Sequence, residues 1–178
     1  NVNDILRKAI SGDKTINSIS IHNKQVYIAS TFGVVVLDLA KHEVRDSYRN
    51  LGPNGEAVSV KATAILRDSI YLTTDLGVLA AKHSGTNLQD YRNWSRLNAG
   101  LPANGNAADK LASFNNKLYL SNGGGGIYTL RNGSWVAETL PVNGAVVSFK
   151  KTDAQLSIAS GSGITVVGKD GSVKVYSH

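Results

Sequence analysis

"VYIASTFGVVVLDL", residues 26–39, is a run of β-branched and aromatic residues interrupted by a short turn that ends at Gly33. Such a run reads as two strands joined by a tight connection. The pattern returns as "IYLTTDLGVLAAKH" from Ile70, "LYLSNGGGGIYTLR" from Leu118 and "LSIASGSGITVVGK" from Leu156. Each copy carries an apolar anchor, then Tyr27, Tyr71, Tyr119 or Ser157, and six residues later Gly33, Gly77, Gly125 or Gly163. A glycine held at one offset implies a backbone position of positive φ, as a tight hairpin needs. Replacing Gly77 by Val is therefore expected to cost roughly 1–3 kcal/mol. The steps from Tyr27 to Tyr71, Tyr119 and Ser157 are 44, 48 and 38 residues. That period belongs to propeller blades of four strands.

The remaining strands of each unit fall into place around the hairpin. An alternating strand precedes it, "NSISI" from Asn17, "KATAIL" from Lys61, "KLASF" from Lys110 and "VVSF" from Val146, and would lie nearest the axis. The polar turns "HNKQ", "RDS", "NNK" and "KTDAQ" join the two. An outer strand follows, "EVRDSY" from Glu43, "NWSRL" from Asn93, "SWVAET" from Ser134 and "SVKVYS" from Ser172. Asn132-Gly133 and Asp170-Gly171 lead into the last two and are strong hairpin signals. The expected fold is all-β, a β-propeller region of about four four-stranded blades at 16–52, 58–102, 105–143 and 145–178. Residues 1–15, with "DILRKAI" from Asp4, read as the outer strand of a preceding blade. The whole is then part of a larger propeller, with a closed four-bladed ring as the alternative.

Composition agrees with an all-β chain rich in turns: 178 residues, 42% apolar and 18% charged, with 18 glycines and 3 prolines. Cysteine is absent, so no disulfide framework or thiolate metal site is available. No apolar stretch approaches the roughly 20 residues that span a bilayer. Without methionine the chain reads as a mature product or an excised piece. The formal charge of +6 raises nucleic acid or an acidic surface as partner. Lys and Arg are scattered, with Arg7-Lys8 and Lys150-Lys151 the only adjacent pairs, which fits a solvated surface better than a nucleic-acid footprint.

Catalytic signals are missing. His22, His42, His83 and His178 never stand in ligand spacing and read as surface or turn residues, so no metal or cofactor is expected. "NGGGGIY" from Asn122 resembles a phosphate cradle but lacks the lysine and the following helix, and reads as the third hairpin turn. Asp38, Asp46, Asp75 and Asp90 fall at strand ends or turns, where capping the backbone is their usual role. The segment from Ala81 to Ala108 departs most from the repeat and gathers Tyr91, Arg92, Trp94 and Arg96. Aromatic and Arg residues on a propeller rim suit a glycan or protein ligand. For Trp94, aligned with Trp135 on the outer strand, packing between blades is the competing role.

The stretches "LRKAISGDKTINSISI", "FGVVVLDL" and "GPNG", continued by "TDLGV" and "YRNW", resemble the propeller region of the PorZ family of the type IX secretion system, also labelled a two-component-regulator propeller. The resemblance runs from about Asn1 to Gly105. It implies a non-catalytic, exported protein at the cell surface, associated with the outer membrane. Its partners would be the proteins of an attachment complex and anionic lipopolysaccharide, presented there to a sortase. A sensor propeller of a membrane histidine kinase, periplasmic and binding a glycan, is the rival reading.

Overall fold

The computed structural model describes residues 13–102 and 108–177. Most of the strand expected over 1–15, and the boundary at 105, lie outside the described residues. Within them, sixteen strands form four antiparallel sheets, each a meander in chain order. The first holds β1 (Ile16–His22), β2 (Gln25–Ser30), β3 (Gly33–Asp38) and β4 (Glu43–Tyr48). The second holds β5 (Val60–Leu66), β6 (Ser69–Thr74), β7 (Gly77–Lys82) and β8 (Ser95–Arg96), with a 3-10 turn at Tyr91–Asn93 before β8. The third holds β9 (Ala108–Phe114), β10 (Lys117–Asn122), β11 (Gly126–Arg131) and β12 (Ser134–Ala137). The fourth holds β13 (Val146–Lys151), β14 (Gln155–Ser160), β15 (Gly163–Gly168) and β16 (Val173–Ser177).

The turns follow from their residues. His22 pairs with Gln25 and leaves Asn23-Lys24 at φ +47° and +61°; Asn115-Asn116 repeats this between β9 and β10 at +46° and +58°. Two positive φ values give a turn whose twist matches the strands it joins, and Asn tolerates that region. Asn132-Gly133 makes the same turn, at +49° and +79°. Asp170-Gly171 sits in a wider loop, in which Gly171 N–H donates to the Gly168 carbonyl and Ser172 N–H to Asp170 Oδ1.

The repeated glycines carry φ of +119° (Gly33), +100° (Gly77), +90° (Gly125) and +143° (Gly163). Ser30 pairs with Gly33, leaving a two-residue turn, whereas Asn122 pairs with Gly126, so the third turn is one residue longer. At Gly33 glycine is required twice over, because a Cβ there would also fall on the Tyr48 carbonyl of β4. In the second blade the atom it would meet is the Asn98 side-chain amide. That difference corrects the outer strand expected from Asn93, of which only Ser95–Arg96 is strand. Beyond β8, Leu97 N–H donates to the Val78 carbonyl and Asn98 Oδ1 accepts from Val78 N–H at 2.8 Å, so a side chain completes the ladder.

One packing rule joins the blades. Tyr27, Ala29, Val34 and Val36 of the first sheet share a core with Ile70, Leu72 and Leu79 of the second. Tyr71 packs with Leu118, Leu120 and Trp135, and Tyr119 with Leu156 and Ile158. Alternation in β2, β6 and β10 thus sends Tyr toward the following blade, and in β6 and β10 it sends the residues on either side of Tyr toward the preceding one. Burying each of these Leu and Ile side chains is worth roughly 1.5–3 kcal/mol. The inner strands pack in the order β1, β5, β9, β13, with no comparable packing of β13 against β1 among the described residues. Ile19 and Ile21 on β1 are each 61% exposed, and Ile164 and Tyr176 are exposed at the other end. The architecture is a partial propeller of four blades, an open arc with an apolar face at each end.

Candidate functional site

The GPNG turn leaves β4 and meets the segment that enters β8. Gly55 N–H donates to the Gly52 carbonyl, and Glu56 Oε2 and Oε1 accept from the Asn54 backbone N–H and side-chain Nδ2 at 2.8 and 3.0 Å. Gly55 lacks a side chain where the Tyr91 ring lies: a Cβ there would sit 3.4 Å from Tyr91 Cδ1 and Cε1. The Asn54 amides hold the Glu56 carboxyl below its ordinary value, with a smaller contribution from the Arg96 charge. Two stretches 35 residues apart, "GPNG" and "YRNW", are therefore spatial neighbours.

Asp90 organises the 3-10 turn. Its Oδ1 accepts from Arg92 N–H at 3.0 Å, while Arg92 Nε and Nη2 close a bidentate pair on the same carboxylate at 2.9 and 2.7 Å. The pairing lowers the Asp90 pKa and raises that of Arg92. Arg92 and Arg96 are exposed and Tyr91 is half-buried. Trp94 instead turns inward: it is 8% exposed, its Nε1 donates to the Leu88 carbonyl at 3.0 Å, and its ring centroid lies 6.2 Å from that of Tyr48. This segment thus exposes Arg96 and an Arg92 already paired with Asp90, beside a half-buried Tyr91, while Trp94 packs inward. Trp135 is its counterpart one interface on, donating Nε1 to the Leu97 carbonyl at 2.7 Å.

Sequence spacing hid two other groupings. His22 and His83, on neighbouring blades, approach with ring centroids 6.5 Å apart, and Tyr27 Oη lies 2.8 Å from His83 Nε2. Burial, then the charges of His83 and Lys151, holds the His22 imidazole below its ordinary value. Among the described residues no group of three or more His, Asp or Glu side chains is arranged to hold a metal. The other grouping is a groove of about 420 Å³ between the first turns of the third and fourth blades. Lys151 Nζ donates into its wall, to the Ser113 carbonyl at 3.0 Å and to Ser113 Oγ at 3.1 Å. Turns from different blades meet only through blade stacking, so no local motif announces either grouping.

Solved structures with the same fold include PorZ, a surface component of the type IX secretion system of Porphyromonas gingivalis, which is 24% identical with a TM-score of 0.83. The match covers 100% of this chain and 23% of that one, so the chain spans under a quarter of its length. The extracellular domain of BT4673 from B. thetaiotaomicron matches over 98% of this chain and 24% of that chain, at 15% identity and TM-score 0.65. BamB from Moraxella catarrhalis matches over 96% of this chain and 46% of that chain, at 14% identity and TM-score 0.55. No curated protein matches. The family model described as the type IX secretion system PorZ N-terminal β-propeller domain matches residues 1–95, more than half of the sequence. The chain belongs to the PorZ N-terminal β-propeller family of the type IX secretion system.

Proposed function

We propose that this propeller is a non-catalytic binding module of an exported, cell-surface protein, associated with the outer membrane, in the attachment complex of the type IX secretion system. There it helps present anionic lipopolysaccharide to a sortase, with other proteins of the complex as partners. The observation that carries the reading is the PorZ family match over residues 1–95. The formal charge of +6 supports it, since a basic surface concentrates an anionic glycolipid. Tyr91, Arg92 and Arg96 form the contact rim, and Trp94 holds it in place. An aromatic face beside guanidiniums is suited to a sugar ring that carries acid groups.

The test is binding of the chain to vesicles containing anionic or neutral lipopolysaccharide, with a Tyr91→Ala/Arg92→Ala/Arg96→Ala variant alongside. Binding to the anionic form that drops at least fivefold in the variant, with an unchanged melting temperature, supports the proposal. Equal binding to both vesicle types refutes it. A second reading, an extracytoplasmic, periplasmic sensor propeller that binds a glycan for a histidine kinase, is favoured by the similarity to the BT4673 extracellular domain. Binding of neutral oligosaccharides at the rim, with none of anionic lipopolysaccharide, selects it.

A further inference from the structure

We propose that the groove between the third and fourth blades is a second binding site, one that takes a phosphate or carboxylate group carried on a hydrophilic, sugar-sized molecule. The inference goes beyond the reading above and stands on this groove alone. Its volume, about 420 Å³, lies in the range of small-ligand pockets. Its walls come from two blades held in register by cross-blade bonds. Asn115 Nδ2 donates to the Lys169 carbonyl at 2.9 Å, and Lys151 Nζ reaches Ser113. The left-handed Asn115-Asn116 turn sets one lip of the groove, and the Thr152 turn sets the other.

The charge of the groove favours an anion. Lys151 and Lys169 line it against a single acid, Asp153. Arg67 stands just outside, its Nε donating to Asn116 Oδ1 at 3.0 Å, and the Lys151 charge reaches His22 across the arc. Lys151 is an exposed residue whose ammonium bonds Ser113, and its partial burial lowers its pKa. An ammonium has three donors, and Ser113 takes two, so one remains for a ligand oxygen. A partly desolvated cation gains more from an incoming anion than a fully hydrated one does. Asp153 partly compensates Lys151, and a carboxylate beside the bound anion can accept from hydroxyls carried on the same ligand.

The experiment is amide-resolved NMR of the 178-residue chain titrated separately with glycerol phosphate and with glucuronate, at low and at high salt. The expected result is saturable shifts at residues 113–116 and 151–153, weakened by salt. Apparent affinity should fall at least fivefold in both Lys151→Gln and Lys169→Gln. Lys169→Gln leaves the bonds to Ser113 untouched, so it remains decisive if Lys151→Gln disturbs the fold. Whichever probe binds tighter identifies phosphate or carboxylate as the preferred group. Shifts scattered over surface lysines, no saturation with either probe, or affinity unchanged in Lys169→Gln overturns the proposal. Anionic lipopolysaccharide binding that survives both substitutions, together with no probe binding, overturns the groove and leaves the rim reading standing. Saturable probe binding in the groove without lipopolysaccharide binding does the reverse.

Discussion

Gly33→Ala and Gly77→Ala place the same methyl group at equivalent turns, yet the structure separates their costs. Both positions have positive φ, +119° and +100°, so each substitution carries strain of about 1–3 kcal/mol. The neighbours differ. At Gly33 the new Cβ falls on the Tyr48 carbonyl oxygen. That oxygen cannot rotate away, because Tyr48 is 5% exposed and Leu51, three residues on, is 1% exposed in the same core. The end of β4 has to shift, and the loss of one ladder bond and some packing adds about 1–2 kcal/mol. At Gly77 the Cβ meets the Asn98 amide, which can swing into solvent for the loss of its bond to Val78 N–H, about 1 kcal/mol. Gly33→Ala should therefore cost about 2–5 kcal/mol and Gly77→Ala about 2–4 kcal/mol, and because the strain is common to both, the first exceeds the second by up to about 1 kcal/mol. A double-mutant cycle sharpens the test, because Asn98→Ala should cost about 1 kcal/mol when Gly77 is intact and close to nothing in the Gly77→Ala background. Urea unfolding followed by the fluorescence of Trp94 and Trp135 reads all four variants. Gly33→Ala no more costly than Gly77→Ala, or zero coupling between positions 77 and 98, refutes the reasoning.

Trp135→Phe leaves the Leu97 carbonyl without its indole donor and should destabilise by about 1–3 kcal/mol in thermal or urea unfolding. Tyr27→Phe removes the hydroxyl that joins Gln25 to His83 and should cost about 0.5–1.5 kcal/mol, with faster hydrogen exchange at the interface of the first two blades. The folded pKa of His22 lies below its ordinary value of 6.5, so near that pH the unfolded chain takes up a proton that the folded chain refuses. Its contribution is complete above pH 6.5 and is lost as pH falls through the folded value; His22→Gln should flatten that part of the decline, measured as melting temperature between about pH 7.5 and 5.

The repeat was legible because it is written in local chemistry. Hairpin turns need particular residues at particular places, and Gly33, Asn115-Asn116 and Asn132-Gly133 supply them within a few positions of the strands they join. Alternation around Tyr27, Tyr71 and Tyr119 was legible for the same reason, although which blade each Tyr faces emerged only from the stacked sheets. The outer edge of the second blade was not legible, because Asn98 completes the ladder with a side chain and no strand pattern records that. Trp94 and Trp135 look equivalent in sequence, yet one precedes a two-residue strand and the other lies within β12. The proposed rim residues were chosen from their types alone, while the groove and the His22–His83 pair depend on contacts between distant turns.

The one-directional packing of Tyr onto the next blade makes this arc a linear chain of nearest-neighbour couplings. Its stability is then approximately a sum of blade terms and three interface terms, as in stacked repeats. The outermost blades each hold one such interface within the arc and the middle two hold two, so within this chain opening begins at the ends and moves inward. A substitution at the Tyr27 interface lowers protection in the first two blades while the fourth keeps its own, which gives the molecule a graded, position-coded response to strain.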